Sequence, residues 1–202
     1  NHVIEMDPKN SLAYTQKGSI LFLMQSHQAA IQDLNKAIEL DPQNAHAHHN
    51  QGYALFCMQK YSQAIEHFDR AIELDPNQPQ VYLFKALALS QLNRHQDAIG
   101  LFEKALTLNP DDAALHFSKG SAHEHLKQYQ EAMACYDRSL ELDPGHAQVY
   151  SNKANVHYYL EQYKEAIECL DKVLELNPDD VEARENRAAL VASQSKSRCA
   201  IF

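Results

Sequence analysis

The chain has 202 residues, of which 45% are hydrophobic and 22% charged, with five Gly, seven Pro and no Trp. This composition is typical of an ordered, helix-rich protein, and no apolar run approaches the roughly 18 residues that a membrane span needs. The formal net charge is -9. Because no Lys/Arg stripe offsets that charge, we expect no nucleic-acid partner. The chain begins with Asn1 and without a basic-then-apolar leader, so we expect further residues upstream.

The four cysteines are widely spaced and include no C-x-x-C pair. They are Cys57, Cys135, Cys169 and Cys199. A disulfide framework is usually denser than this and belongs to short secreted chains. The spacing therefore favours reduced thiols and a cytoplasmic protein.

An Asp-Pro or Asn-Pro pair recurs every 34 residues without insertion. The pairs are Asp7-Pro8, Asp41-Pro42, Asp75-Pro76, Asn109-Pro110, Asp143-Pro144 and Asn177-Pro178. All but the first pair close a stretch with three- and four-residue apolar steps, as at Ile31, Leu34 and Ile38, which predicts an amphipathic helix. We expect the helix to end there, because proline lacks a backbone N–H and disfavours helix for the residue before it.

Another predicted helix precedes each of these, as in "AHAHHNQGYALFCMQ", where Gly52 allows a neighbouring helix to approach closely. We therefore predict antiparallel helix pairs joined by short turns. The turns are expected near Gln25-Ser26, Gln59-Lys60, Asn93-Arg94, Lys127-Gln128 and Glu161-Gln162. Since so short a pair cannot cover its own apolar surface, stability must come from stacking successive pairs.

These residues resemble the tetratricopeptide repeat (TPR) family. Its closing positions are kept, for example, at Ala64, Phe68, Ala71, Pro76, Ala98, Phe102, Ala105 and Pro110. Its opening Trp is replaced by Tyr14, His48, Tyr82, His116 and Tyr150. The resemblance implies an all-α fold, a right-handed alpha-alpha superhelix (TPR solenoid) of five complete 34-residue repeats plus a C-terminal capping helix.

The period predicts the boundaries of the array. Residues 1–10 would end a preceding repeat, the complete repeats would span 11–44, 45–78, 79–112, 113–146 and 147–180, and 181–195 would cap the array. The cap is expected because Arg184 and Arg187 stand at core-adjacent places, and a terminal helix needs a polar outer face. We expect this C-terminal end to be native and the N-terminal end to fall within a helix.

The tail at 196–202 ends in "CAIF", which matches the C-a-a-X pattern for prenylation of Cys199. The alternative is a tail without function. A prenyltransferase would be one partner, and a single lipid chain with only Lys196 and Arg198 nearby would give transient membrane contact. The protein would then be cytoplasmic and peripheral at the cytosolic face of a membrane.

The resemblance implies that the first helices of the pairs line a concave groove for an extended peptide or a partner helix. The predicted groove residues are Phe22, His49, Asn50, Tyr53, Phe56, Leu83, Phe84, Leu87, Phe117, Asn152, Asn155, Tyr158 and Tyr159. A continuous apolar strip usually marks a binding surface. The alternative is that these side chains are half-covered packing. The function expected is a non-catalytic adaptor or scaffold that binds a protein or peptide.

Family specialisations can be compared residue by residue. Of the carboxylate-clamp positions of chaperone-binding relatives, only Asn50 fits, which argues against that ligand. Asn152 matches the asparagine ladder of O-linked N-acetylglucosamine transferase, although Phe84 interrupts it. An alternative function is therefore the substrate-recognition arm of a larger enzyme with its catalytic domain upstream. A third is an assembly scaffold that self-associates through its N-terminal end.

Two histidine-rich stretches raise a metal hypothesis. They are His46, His48 and His49, and His123 and His125 around Glu124. Neither has the i, i+4 spacing of H-E-x-x-H, and no phosphate loop or nucleophile motif is present, so we expect no metal, cofactor or catalysis. Four histidines at packing positions are expected to be buried and to loosen the fold near about pH 5–6. They are His48, His116, His123 and His157. Cys135 and Cys169, one repeat apart, are expected to pack without a disulfide.

Overall fold

The computed structural model describes residues 7–199, and the side chains of 7–193. Residues 7–199 form eleven α-helices and no strand, in two compact units that divide between Pro110 and Asp111. The helices of the first unit are α1 (Ser11–Leu23), α2 (His27–Leu40), α3 (Ala45–Cys57), α4 (Tyr61–Leu74), α5 (Pro79–Gln91) and α6 (His95–Leu108). Those of the second unit are α7 (Ala113–His125), α8 (Tyr129–Leu142), α9 (Ala147–Tyr159), α10 (Tyr163–Leu176) and α11 (Val181–Cys199).

Consecutive helices pack as hairpins within each unit. In the first unit α1 pairs with α2, α3 with α4 and α5 with α6, and in the second α7 pairs with α8 and α9 with α10. The predicted all-α class is therefore confirmed. No helix within 7–199 is both long and apolar enough to span a bilayer.

Each hairpin turns at a non-glycine residue in the left-handed region. These residues are Gln25, Gln59, Asn93, Lys127 and Glu161, with φ between 57° and 60°. In the first hairpin the Gln25 N–H donates to the Phe22 carbonyl (2.8 Å) and the Ser26 N–H to the Leu21 carbonyl (2.9 Å). This pair of hydrogen bonds is the Schellman motif, in which the left-handed residue is usually glycine. The predicted turn positions are confirmed.

The Asp-Pro pairs join one hairpin to the next. Asp41 Oδ1 accepts a hydrogen bond from the Gln43 N–H (3.0 Å), and Asn44 Oδ1 then caps α3 by accepting from the Ala47 N–H (3.0 Å). Such side-chain acceptors satisfy backbone donors that the helix start leaves open. The proline therefore ends one helix and the next cap begins the following one.

In at least three of the following helices, a side chain of the first turn contacts the carbonyl of this proline. Tyr82 donates from its hydroxyl to the Pro76 carbonyl (3.1 Å), and His48 Nε2 lies 3.3 Å from the Pro42 carbonyl oxygen. Arg184 in α11 donates to the Pro178 carbonyl (2.6 Å). The capping helix thus keeps the contact of the opening position although its residue type departs from the family pattern.

The core of each unit lies between first and second helices. In the first unit Phe68 is fully buried with Leu55, Ala71 and Val81. A Cβ built on Gly52 would lie 2.6 Å from the Phe68 ring, so the glycine permits the close approach predicted for it. In the second unit the fully buried Tyr136, Val149 and Val156 form the equivalent cluster.

Helix α11 packs against α10 and extends past residue 195, where the sequence places the end of the cap, to Cys199. Ala183 is buried with Leu170 and Val173, whereas Val191 is exposed. The backbone of Cys199 ends the described helix, its side chain lies outside the described side chains, and residues 200–202 lie outside the described residues.

Candidate functional site: the first-helix faces

Aromatic side chains from successive first helices meet in the first unit. The ring centroids of Phe22 and Tyr53 are 5.0 Å apart, and those of Tyr53 and Phe84 are 4.5 Å apart. Phe56 lies 6.0 Å and His49 6.3 Å from Phe84. We call Phe22, His49, Tyr53, Phe56 and Phe84 the aromatic cluster. All five are half-buried, so each ring keeps part of its surface accessible.

Phe84 is the centre of this cluster and also part of the packing. Its ring stacks on the fully buried Phe68 at 6.4 Å and 21°. Leu83 and Leu87, predicted beside it, are also half-buried. Burial lowers the pKa of His49, so its imidazole favours the neutral form. The cluster therefore presents an uncharged aromatic surface continuous with the core.

In the second unit, Asn152 belongs to a polar network that runs from buried Tyr136 to exposed Gln148. The Tyr136 hydroxyl donates to Glu124 Oε2 (2.5 Å), Asn152 Nδ2 donates to the Tyr136 oxygen (3.0 Å), and Gln148 Nε2 donates to Asn152 Oδ1 (3.0 Å). Burial raises the pKa of Glu124, against the lowering effect of the Tyr136 hydrogen bond. Burial also raises the pKa of the Tyr136 phenol. Phe117, another predicted groove residue, lies 6.0 Å from the Tyr136 ring.

Asn152 and Asn50, which share the ladder position in the 34-residue period, both form hydrogen bonds within the chain. Asn50 Nδ2 donates to Ser19 Oγ (2.9 Å), which joins α3 to α1. Asn152 already donates and accepts in the network above. An amide engaged in this way is less available to a peptide backbone, so the structure adds no support for the ladder. The substrate-arm alternative remains a prediction.

Among the described side chains, the most exposed aromatic ones lie at the end of α9. Tyr158 is 53% and Tyr159 61% exposed. They border a cavity of about 420 Å³ between α9, α10 and α11. Its lining is Ala154, Asn155, Tyr158, Tyr159, Leu170, Asn186, Ala189, Leu190 and Ser193. Three predicted groove residues, Asn155, Tyr158 and Tyr159, are thus brought together here.

Sequence reasoning missed the contribution of other helices to this cavity. Tyr129 stacks on Tyr159 (5.8 Å, 9°), and Tyr163 lies 6.0 Å from Tyr158. Asn186 on α11 lines the cavity and falls 34 residues after Asn152. The period could have identified Asn186 by its register, and it also relates Tyr129 to Tyr163, which lie 34 residues apart at the starts of two successive second helices.

The histidine predictions are corrected in part. His48 is 8% exposed and packs as expected, with its Nδ1 3.4 Å from that of His67. His116, His123 and His157 are only half-buried. His123 and His157 lie beside the hairpin turn, where each Nδ1 is 2.7–2.8 Å from a glutamine oxygen. His123 and His157 lie near the turn rather than over the core, which explains why they are more exposed than His48.

The cysteines and possible metal ligands within the described side chains form no further candidate site. Within the described side chains no group of three or more His, Cys, Asp and Glu could hold a metal ion. Cys57, Cys135 and Cys169 form no disulfide in that part of the chain. Cys135 and Cys169 are half-buried, and burial raises the pKa of the Cys169 thiol.

Comparison with known proteins identifies the fold. Family models described as tetratricopeptide repeat match residues 49–113, 85–147 and 147–180, and one described as TPR repeat matches 18–59. No curated protein sequence matches the chain.

Solved structures similar to the chain are TPR proteins or share its hairpin fold. YrrB, a TPR protein with an unusual peptide-binding site, superposes with a TM-score of 0.81 and 24% identity over 93% of this chain and 96% of that one. MamA from Desulfovibrio magneticus superposes with a TM-score of 0.80 and 20% identity, over 85% of this chain and 97% of that one. TTC0263, a thermophilic TPR protein from Thermus thermophilus, superposes with a TM-score of 0.67 and 20% identity, over 90% of this chain and 99% of that one.

At these identities the likeness shows the fold alone, and it confirms the predicted solenoid class. The three family models together span residues 18–180. The helix hairpins, their left-handed turns and the Asp-Pro junctions repeat with the same 34-residue period. This chain belongs to the tetratricopeptide repeat family.

Proposed function

We propose that this protein is a non-catalytic adaptor whose first-helix faces bind an extended peptide or a helix of a protein partner. Two features support this. In the first unit the aromatic cluster is anchored on the core yet keeps accessible surface. In the second unit Tyr158 and Tyr159 stand exposed beside a cavity. That YrrB has a peptide-binding site is consistent with this role.

The exposure of Tyr158 and Tyr159 is the observation that carries the proposal. A large aromatic side chain gains stability from burial, and two adjacent ones left more than half exposed add little to the fold. Beside a concave, mostly uncharged surface, such a patch is typical of an interaction site.

The proposal can be tested with peptides selected from a random display library against the whole chain. Selected peptides would be titrated into isotope-labelled protein, and amide shifts would be followed by NMR. We expect the largest shifts on first helices, around Phe84, Asn152 and Tyr158. Shifts confined to the second helices, or no peptide binding at all, would contradict the proposal.

Exposed-residue variants sharpen this experiment. Tyr158→Ala and Tyr159→Ala should weaken binding of those peptides whose shifts map to the second unit. Leu176→Ala, which removes another exposed side chain of the same unit at the end of α10, is the matched control. Thermal melts should match the parent, because none of these side chains is buried.

We further propose that prenylation of Cys199 brings the adaptor transiently to the cytosolic face of a membrane from the cytoplasm. The support is the "CAIF" ending. Intact mass after expression in eukaryotic cells should show one isoprenoid on the parent chain and none on Cys199→Ser. An unmodified parent would reject the lipid and leave the adaptor role standing.

A further inference from the structure

The cavity between α9, α10 and α11 combines an apolar floor with an aromatic wall. Buried Ala154 and Leu170 form part of the floor, and half-buried Leu190 continues it. Tyr158 and Tyr159 form the wall. Tyr129 and Tyr163 contact these rings from the second helices, so the wall is a cluster of four tyrosines. A long side chain could lay its stem on this floor and its end on a ring face.

The two amides of the cavity have hydrogen-bond capacity to spare. Asn155 on α9 and Asn186 on α11 are exposed, and the side-chain amide of neither makes a hydrogen bond with the part of the chain that the structure describes. Each amide oxygen can accept two hydrogen bonds. Ser193, also in the lining, donates its hydroxyl proton to the Leu190 carbonyl (2.7 Å). Of the described side chains lining the cavity, none is cationic.

The half of the sequence that contains the cavity carries a net negative charge. Residues 111–202 contain sixteen Asp and Glu against ten Lys and Arg, so this stretch accounts for -6 of the formal net charge of -9. Among the described side chains, at least five of those cations are held in ion pairs. They are Arg138, Lys153, Lys164, Lys172 and Arg187. A cationic partner is therefore attracted to this unit, and an anionic one is repelled.

We propose that this cavity receives an arginine or lysine side chain of the partner segment, an inference that rests on the adaptor function above. The aliphatic stem packs on Leu170 and Leu190, and the cationic head lies against the faces of Tyr158 and Tyr159 as a cation–π contact. Its N–H groups donate to the oxygens of Asn155 and Asn186. An acidic side chain would find no cation among the described lining residues, and an apolar one would cover both amides without satisfying them.

The test uses peptide pairs that differ only in charge. A positional library of short peptides with Arg, Lys, Gln, Glu or Phe at the central position is screened against the whole chain. The best Arg peptide is then compared with its citrulline twin, which has nearly the same shape and no charge. We expect the Arg peptide to bind about two- to thirtyfold more tightly, and the ratio to shrink in high salt.

Variants locate the effect. Asn186→Arg places a cation on an exposed helix position at the rim and should bring the Arg-to-citrulline ratio close to one, as should Tyr158→Ala combined with Tyr159→Ala. Leu176→Ala should leave it unchanged. A preference for Glu or Phe, or a ratio that survives Asn186→Arg, overturns this inference while the adaptor function stands. Failure of every library peptide to bind overturns both.

Discussion

Gln51 on α3 donates from Nε2 to Oδ1 of Asn35 on α2 (2.6 Å), so a neutral hydrogen bond joins the first two hairpins. At the same register of the next junction, Lys85 pairs with Asp69. In the second unit this register holds the ion pairs Lys153–Asp137 and Arg187–Asp171. The repeat therefore has one cross-hairpin link that is neutral at one junction and charged at the others named.

These links should differ in their response to salt. A double-mutant cycle with Asp69→Asn and Lys85→Met should give a coupling of about 0.2–1 kcal/mol at low salt and less at high salt, since mobile ions screen a partly exposed pair. The cycle with Asn35→Ala and Gln51→Ala should be independent of salt. Chemical denaturation measures both. Equal salt dependence of the two couplings would contradict this assignment.

Two glycines in helices should respond to alanine with opposite signs. Gly52→Ala places a methyl group against buried Phe68 and should lower the free energy of unfolding by about 1–3 kcal/mol. Gly100 in α6 has no atom within 4 Å of a built Cβ, so Gly100→Ala should raise that free energy by about 0.5–1 kcal/mol through helix propensity. Denaturant titration distinguishes them. A stabilising Gly52→Ala would show that Phe68 can move.

The left-handed hairpin turns should be stabilised by glycine. Lys127 has φ of 57°, where a Cβ is crowded by the backbone, so Lys127→Gly should raise the free energy of unfolding by about 0.5–1 kcal/mol. Asn93→Gly, at φ of 59°, is the matched comparison and should gain less, because asparagine tolerates this region better. Melting temperatures of the two variants test the order, and a loss of stability in Lys127→Gly would count against strain at the turn.

Acidification should weaken the first unit. Burial lowers the pKa of His48, His49 and His67 below the ordinary value of 6.5. Because the folded pKa lies below the unfolded one, this stabilisation is complete above about pH 6.5 and is lost as the pH falls through the folded values. The melting temperature should therefore fall from neutral pH to about pH 5. An invariant melting temperature across that range would refute the effect.

Histidine variants distinguish the pH dependence of the first unit from that of the second unit. There burial raises the pKa of Glu124, whose contribution has the opposite sign, because it is complete below the ordinary carboxyl pKa and is lost as the pH rises. His48→Gln combined with His67→Gln should flatten the acid limb of the melting curve. Leu176→Ala, which removes an exposed side chain of the second unit without a titratable group, should leave that limb unchanged.

Much of the fold could be predicted because its signals are local. The helix ends at Asp41-Pro42, the turn at Gln25-Ser26 and the close approach at Gly52 all follow from backbone chemistry and periodicity, and all are found. The site was less predictable. Phe84 and Tyr158 were both assigned to the groove, yet one is half-covered by packing against Phe68 and the other is more than half exposed.

By itself, the sequence determined the hairpin unit and its 34-residue period, and the assignment of the candidate face to the first helices stays a prediction. Only the tertiary structure decided that Asn152 is taken up by Tyr136, that Asn186 joins Asn155 at a cavity, and how far each aromatic ring is covered. The physical reason is the separation along the chain over which each interaction acts. Backbone preferences act between neighbours in the chain, whereas exposure and hydrogen-bond partners depend on the side chains that neighbouring hairpins bring opposite one another.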